Sequence, residues 1–319
     1  MQQVFISVVN VLHSTRDARA LGAWLTGLYG VLSADFTDFE FVLVNNGVYQ
    51  GDVDAILKPL PETLRQHVFL LNLSAPVDRN NAKLAALDRA NGDYTVLFES
   101  DFAEQPDLVK ALWMRSRSGQ LDVVYLRAKE RRLPAASRLL YRIFYHILKK
   151  YSGLKIDPHA HYSRIISRRA LNSLLRLREN SYYIKANFAL VGFSTGWVET
   201  TQPLTGDPDM PLGQQFRNAM VVITSFTDFL RRLLLWIFIL SGLVAAAAIV
   251  NAIKVKFWGV DIFGDAQPAI SGWSFLVVMI SSFFAITCLN LYIMSIYLSN
   301  IYSEIKNRPL YIIESVKRY

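Results

Sequence analysis

Short β-branched and aliphatic runs alternate, through the first part of the chain, with segments whose apolar residues fall three and four positions apart. The run at 4–11 reads as a buried parallel strand, because its apolar residues, interrupted only by Ser7 and Asn10, lack the every-second-residue polarity of a half-exposed one. Leu21, Trp24, Leu25, Leu28 and Leu32 then form the stripe of an amphipathic helix. A second strand is predicted at 39–44, closed by Asn45, Asn46 and Gly47, with a helix at 53–64 and a third strand at 68–73. Helical spacing returns at 80–90 through Ala82, Ala85, Ala86 and Ala90, stops at Asn91 and Gly92, and passes into the run Tyr94, Thr95, Val96, Leu97, Phe98. A helix at 108–114 and a short strand at 122–126 follow. This order predicts a doubly wound α/β domain built on a parallel sheet.

The pattern changes after Leu126. Between 127 and 150 the basic residues Arg127, Lys129, Arg131, Arg132, Arg138, Arg142, Lys149 and Lys150 face the single acid Glu130. Such a segment reads as a solvated helix face, or, given Tyr141, Phe144, Tyr145 and Tyr151, as a basic amphipathic surface at a membrane. Residues 216–229 are mildly amphipathic, and no charge occurs at 233–253, a length that at about 1.5 Å per residue spans a roughly 30 Å hydrocarbon core. A second uncharged tract, 266–303, holds a second predicted span at about 273–298. The expected organisation is therefore a domain at 1–212, an interfacial segment at 213–232, a span at 233–253, a connector at 254–268, a second span within 269–302 and a tail at 303–319. The connector carries Lys254, Lys256, Asp261 and Asp265, whereas Arg217, Arg231 and Arg232 precede the first span and Lys306, Arg308, Lys317 and Arg318 follow the second. The positive-inside rule then places the domain and both termini in the cytoplasm, against the inner membrane.

Composition agrees with a partly membrane-borne chain. Hydrophobic residues make up 52% of its 319 positions, and the formal net charge of +8 calls for an anionic partner such as lipid or a phosphate-bearing substrate. The one cysteine, Cys288, excludes an internal disulfide. No nucleic-acid recognition motif accompanies the charge. The start of the chain, with no basic region and no small-residue cleavage site, reads as a first strand.

The candidate chemistry lies where the 94–98 run meets Glu99 and Asp101, followed by Glu104 and Asp107. In open α/β sheets, ligands bind at the carboxyl ends of the strands, and carboxylates two residues apart there can hold a divalent cation against a diphosphate. A plain acidic turn into a helix is the alternative.

Three segments resemble family 2 glycosyltransferases of the polyprenyl-phosphate type, the group of dolichol-phosphate mannose synthase and the bacterial undecaprenyl-phosphate enzymes. Residues 92–107 are similar to the family's GDYxxxxDADLQDPPE, and Arg164, Ile165, Ile166, Ser167, Arg168 and Arg169 to its RLMSRR. The tail at 297–313, ending in Lys306, Asn307, Arg308, Pro309, Leu310 and Tyr311, is similar to EYLGRIYEEVKNRPLYIV. The resemblance implies a GT-A type domain followed by a transmembrane hairpin. It also implies inverting transfer of a sugar from a nucleotide donor to a polyprenyl (undecaprenyl) phosphate at the cytoplasmic face, for envelope glycan or O-antigen modification, with Mg²⁺ or Mn²⁺. Carried over by position, Asp101 is the catalytic residue and a metal ligand, Glu99 a second metal ligand, and Asn45, Asn46, Asp93, Glu99 and Asp101 the donor site. Arg127, Arg131 and Ser137 fall at the acceptor-phosphate positions, and a homo-oligomer is implied.

Several positions depart from that pattern. The family's PxYNE is here Asn10, Val11, Leu12, His13, Ser14, and its DDGSTDGT begins Asn45, Asn46, Gly47. The first motif aspartate is Glu99, the glutamine is Ala103, and PDAGDFRLM reads Pro158, His159, Ala160, His161, Tyr162, Ser163, Arg164, Ile165, Ile166. His159 and His161 invite a metal reading, with solvent-facing loop histidines as the alternative. A basic lid has become the acidic Gly206, Asp207, Pro208, Asp209, Met210, Pro211. A catalytically silent relative with a binding or scaffolding role is the second functional class these losses suggest.

Overall fold

The buried apolar runs become strands that stack side by side, and the striped segments become helices on both faces. In the computed structural model, residues 2–177, 183–205, 211–264, 273–305 and 309–319 are described. Strand β1 (Gln2–Leu12) is followed by α1 (Thr15–Asp35), β2 (Phe36–Asn45), α2 (Gln50–Leu57), α3 (Glu62–Arg65), β3 (Val68–Leu73), α4 (Arg79–Arg89), β4 (Tyr94–Leu97) and α5 (Asp107–Ser118). The chain continues through β5 (Val123–Ala128), β6 (Arg131–Arg132), α6 (Ala135–Tyr151), β7 (Ala160–Ser167), α7 (Arg168–Arg176), α8 (Ile184–Val191), β8 (Thr195–Thr200) and β9 (Leu204–Thr205). Helices α9 (Leu212–Phe226), α10 (Phe229–Trp258) and α11 (Trp273–Ile305) precede the last strand, β10 (Ile313–Arg318).

Eight strands form one sheet in the order β10-β3-β2-β1-β4-β7-β5-β8, and β6 pairs β9 in a separate ribbon. The sheet is mixed where an all-parallel one was expected: β7 runs antiparallel between β4 and β5, and β10 antiparallel beside β3. Buried polar residues hid β7, since Ser163 and Arg164 sit inside the sheet and break the apolar signature of a central strand. Its direction matters for the site. The register Leu97↔Arg164 and Arg127↔Ala160 brings the beginning of β7 to the edge where the parallel strands end.

Local chemistry sets the helix limits. Ser14 caps α1, accepting from the Asp17 amide while the Asp17 carboxylate accepts from the backbone of Ser14 at 3.1 Å. The helix expected at 53–64 is two helices, because Pro59 and Pro61 lack the N–H groups that would continue the helical ladder between them. One face of the sheet packs Trp24, Leu28, Phe41, Phe98 and Trp113, the other Val42, Leu71, Ala86, Leu87, Leu171 and Phe188.

The chain divides into two units, 1–145 with 154–212 and 307–319, and 146–153 with 213–306. The first is the α/β domain, to which the C-terminal segment returns as β10. In the second, α10 and α11 leave large apolar side chains exposed, among them Trp236, Phe238, Leu240, Phe284, Leu291 and Leu298. Among the described residues one stretch, Ser282–Ser299, is long and apolar enough to cross a membrane. A cavity of about 520 Å³ beside α10 is lined by Arg231, Arg232, Leu234, Leu235 and Phe238. Residues 206–210 of the expected acidic lid at 206–211 and 265–268 of the expected connector at 254–268 lie outside the described residues.

Candidate active site

The turn after β4 is held from three sides. The Glu99 amide donates to the buried Ser163 hydroxyl at 3.0 Å, the Asn10 amide donates to Ser100 Oγ at 3.0 Å, and Gln202 Nε2 donates to the Asp101 carbonyl at 3.1 Å. Phe102 packs beneath against Phe98. This leaves the Asp101 side chain exposed at a cavity of about 210 Å³ whose other walls include Arg16, Asp17, Glu104 and Gln202. Partial desolvation, and then the Glu99 charge, raise the Asp101 carboxyl above its ordinary pKa.

Glu99 points elsewhere. Its carboxylate accepts from Lys83 Nζ at 2.8 Å, and the lysine side chain is almost fully buried. Burial opposes both charges: in Glu99 the neighbouring ammonium outweighs it and the carboxyl lies below its usual range, whereas in Lys83 burial wins and the pKa falls. Lys83 Nζ also lies 3.5 Å from the centroid of the Tyr162 ring, with Lys185 Nζ 4.4 Å from that same centroid. Lys185 is buried, donates to the Ala160 carbonyl at 2.6 Å, and has its pKa lowered to about 7 by burial, then by Arg164 and Arg131. The buried Arg164 guanidinium donates to the Tyr162 and His161 carbonyls, each at 2.9 Å, over the Phe188 ring. Burial lowers its pKa to about 10.

A strand-end carboxylate beside clustered cations suits substrates that carry phosphate, and the sequence comparisons agree. Residues 25–175 match the profile of "Glycosyl transferase family 2". The chain contains a glycosyl transferase family 2 domain. Its relatives include an uncharacterised glycosyltransferase of Synechocystis, 26% identical over 87% of this chain and 85% of that one. A prophage bactoprenol glucosyl transferase homolog of Escherichia coli is 26% identical over 88% and 90%, and the bactoprenol glucosyl transferase of Shigella phage SfII 25% identical over 88% and 89%. Among solved structures, mannosyl-3-phosphoglycerate synthase from Rubrobacter xylanophilus has a TM-score of 0.47 at 12% identity, covering 72% of this chain and 74% of that one. Glucosyl-3-phosphoglycerate synthase from Mycobacterium tuberculosis, in complex with Mn²⁺, UDP-glucose and phosphoglyceric acid, has a TM-score of 0.46 at 16%, covering 70% and 78%.

The family 2 glycosyltransferase domain does not gather all the residues its motifs single out. Asp93 precedes β4, at the opposite edge of the sheet from Asp101, and accepts from the Phe5 amide at 3.1 Å. It is therefore remote from the expected donor site. Asn45 spends its amide on Val48 and Asn72, and Asn46 on Val77 and His13, so both staple the ends of β2 and β3. His13 stays neutral, lowered to about 3 by burial and then by Arg79 and Lys83. Arg127 pairs with Asp157 at 2.9 Å, and Ser137 is buried on α6. Arg131 donates to the Pro158 carbonyl at 3.2 Å and lies 4.2 Å from the Tyr141 ring centroid. His161 sits by Phe102 and the Gln202 carbonyl, and among the described residues no group of three His, Cys, Asp or Glu side chains could enclose a metal.

A divalent cation of the Mg²⁺ type needs one or two carboxylates, with water and substrate phosphates completing the shell. Exposed Asp101, with Glu104 lining the same cavity, fits that donor set. Glu99 does not, because Lys83 already holds it.

Sequence reading missed Lys83, Lys185, Tyr162 and Arg164 as one cluster. The available signal was a lysine on an apolar helix face, Lys83 sharing the helix stripe of Ala86, Leu87 and Ala90. The Ser167–Arg169 part of the RLMSRR-like segment is structural. Ser167 and Arg169 donate to Asp122 at 2.7 and 2.5 Å, and Arg168 to the Ala90 carbonyl at 2.6 Å.

Proposed function

We propose that this glycosyltransferase moves a sugar from a nucleotide-sugar donor to a polyprenyl phosphate at the cytoplasmic face of a membrane, with inversion. The observation that carries the proposal is the reach of the bactoprenol glucosyl transferase likeness. It covers 88% of the chain, so it extends past the α/β domain into the apolar helices. An enzyme acting on a soluble acceptor has no need of that second part.

The residues supply a course for the reaction. A phosphate monoester, with a second pKa near 6, is largely dianionic at neutral pH and attacks the anomeric carbon without a strong general base. One of its oxygens forms the new bond to carbon, and the bond from that carbon to the donor's diphosphate breaks, the electron pair leaving with the nucleoside diphosphate. Asp101, and Glu104 across the cavity, are the side chains we assign to a divalent cation. Such an ion supplies Lewis-acid charge for the departing diphosphate. The turn contacts of Ser163, Asn10 and Gln202 fix where that carboxylate stands.

The chain path supports a membrane hairpin. The chain leaves the α/β unit after residue 212 and returns to it as β10, which pairs with β3. Any membrane between must be crossed an even number of times. If Ser282–Ser299 spans, α10 with its exposed Leu235, Phe238, Leu240 and Leu243 is the partner span, and both termini stay on the side of the domain. Incubating purified protein with undecaprenyl phosphate, Mn²⁺ and a panel of nucleotide sugars tests the proposal: lipid-linked sugar that vanishes in Asp101→Ala supports it.

A further inference from the structure

Arg131, Arg164 and Lys185 form a cationic group that has no carboxylate of its own among the described residues, since the nearby Glu99 is held by Lys83. Their resting partners are neutral. Arg131 donates to the Pro158 carbonyl and lies 4.2 and 5.3 Å from the Tyr141 and Tyr145 ring centroids, and Lys185 donates to the Ala160 carbonyl and lies over Tyr162. Arg164 rests on two carbonyls and the Phe188 ring. Tyr145 and Tyr183 share a hydroxyl contact at 3.3 Å, closing an aromatic wall around the cations. On α8, two residues beyond Lys185, the fully buried Asn187 has neither amide atom partnered among the described residues.

Buried cations facing like charge are costly, and a protein that keeps the buried Arg164 and Lys185 beside the half-buried Arg131 gains from an anion that completes them. Aromatic faces partly compensate the charges until that anion arrives. The group lies at the same sheet edge as Asp101, reached through β7.

We propose that Lys185 and Arg131, backed by Arg164 and walled by Tyr141, Tyr145 and Tyr162, form the seat for the phosphate monoester of the lipid acceptor. This rests on the sugar-transfer reading above and replaces Arg127 and Ser137, the former already paired and the latter buried, as partners of Arg131. The ionisation of Lys185 gives the seat a pH signature. The charged groups acting on it are Arg164 on β7, Arg131 on the β6 ribbon, Lys83 on α4 and Glu99 after β4. With the free lysine titrating at about 7, binding above that pH requires proton uptake and weakens as pH rises. Below about 6 the monoester loses its second charge, so affinity peaks between the two.

The test measures binding, not turnover, so it is read separately from any failure of sugar transfer. Full-length protein in detergent is titrated, in EDTA and without donor, with a short-chain prenyl monophosphate, the matching prenyl alcohol, inorganic phosphate and UDP, followed by tryptophan fluorescence. The seat predicts that Lys185→Gln weakens prenyl monophosphate at least tenfold, weakens inorganic phosphate in parallel, and leaves prenyl alcohol and UDP within twofold. A folded Lys185→Gln protein that binds prenyl monophosphate as wild type does overturns the proposal. So does a variant that loses UDP alone, which would assign the cations to the donor. Should the variant fail to fold, the wild-type pH profile decides: an optimum between about 6 and 7 supports the seat, and affinity that keeps rising above pH 8 contradicts it.

Discussion

Two carboxylates two residues apart end in unlike surroundings, and the difference assigns them unlike work. Asp101 is exposed at its cavity, so Asp101→Ala should leave the unfolding free energy within about 0.5 kcal/mol of wild type while lowering sugar transfer by about 100-fold or more. Glu99→Ala leaves the buried Lys83 without its counterion and should cost about 3–5 kcal/mol in urea denaturation, a loss largely relieved by adding Lys83→Met. Equal stability of the Glu99→Ala and wild-type proteins contradicts this reading. Spacing placed both acids correctly at the strand end. It could not show their orientation, because the deciding partner, Lys83, lies 16 residues away on another element. Asn45 and Asn46 teach the same lesson: their positions suited a nucleotide, yet their amides are consumed by the turn itself. At the far edge, Asp122 is held below its ordinary pKa by the Arg169 hydrogen bond and further hydroxyls. The folded form of such a carboxyl binds its proton more weakly than the unfolded form, so its contribution is full above about pH 4 and lost as pH falls further. Thermal scans should show wild type losing more stability than Asp122→Asn below that pH, with activity per folded molecule unchanged at neutrality.

Elements were legible wherever burial alone decided them. The parallel strands and the stripe of α1 follow from apolar spacing, whereas β7 carries a buried serine and arginine and so looked like a motif and not a strand. Strand β10 was hidden for another reason: Glu314, Ser315, Lys317 and Arg318 leave it without an apolar run, as suits an edge strand. It covers the margin of β3, and its end is tied by Tyr319 and Lys317 to Asp54. Tyr319→Phe should therefore cost about 1 kcal/mol. Truncation before residue 311 should bare the β3 edge and promote association, seen by light scattering at protein concentrations where the full chain is monodisperse or of fixed size.

At the scale of the molecule, the apolar helices sit between two segments of one sheet, a constraint stronger than the charge bias of their flanks. Hydropathy predicted two spans, of which one stretch among the described residues, Ser282–Ser299, has the length and apolarity to cross; the hairpin proposed above adds α10 as its partner because β10 returns to β3. In a Cys288→Ala background, a cysteine at Phe263, in the exposed turn after α10, should react with an impermeant maleimide on the face of oriented vesicles opposite to one placed at Gln2. Labelling of both from the same face contradicts the hairpin. The central claim, sugar transfer to a lipid phosphate at Asp101, is tested most directly by one assay. Wild-type and Asp101→Ala proteins are supplied with undecaprenyl phosphate, Mn²⁺ and radiolabelled nucleotide sugars, and the organic extract is counted. The account predicts lipid-linked sugar from at least one donor with wild type and about 100-fold less with the variant. No labelled lipid from any donor, or equal yields from the two proteins, would contradict it.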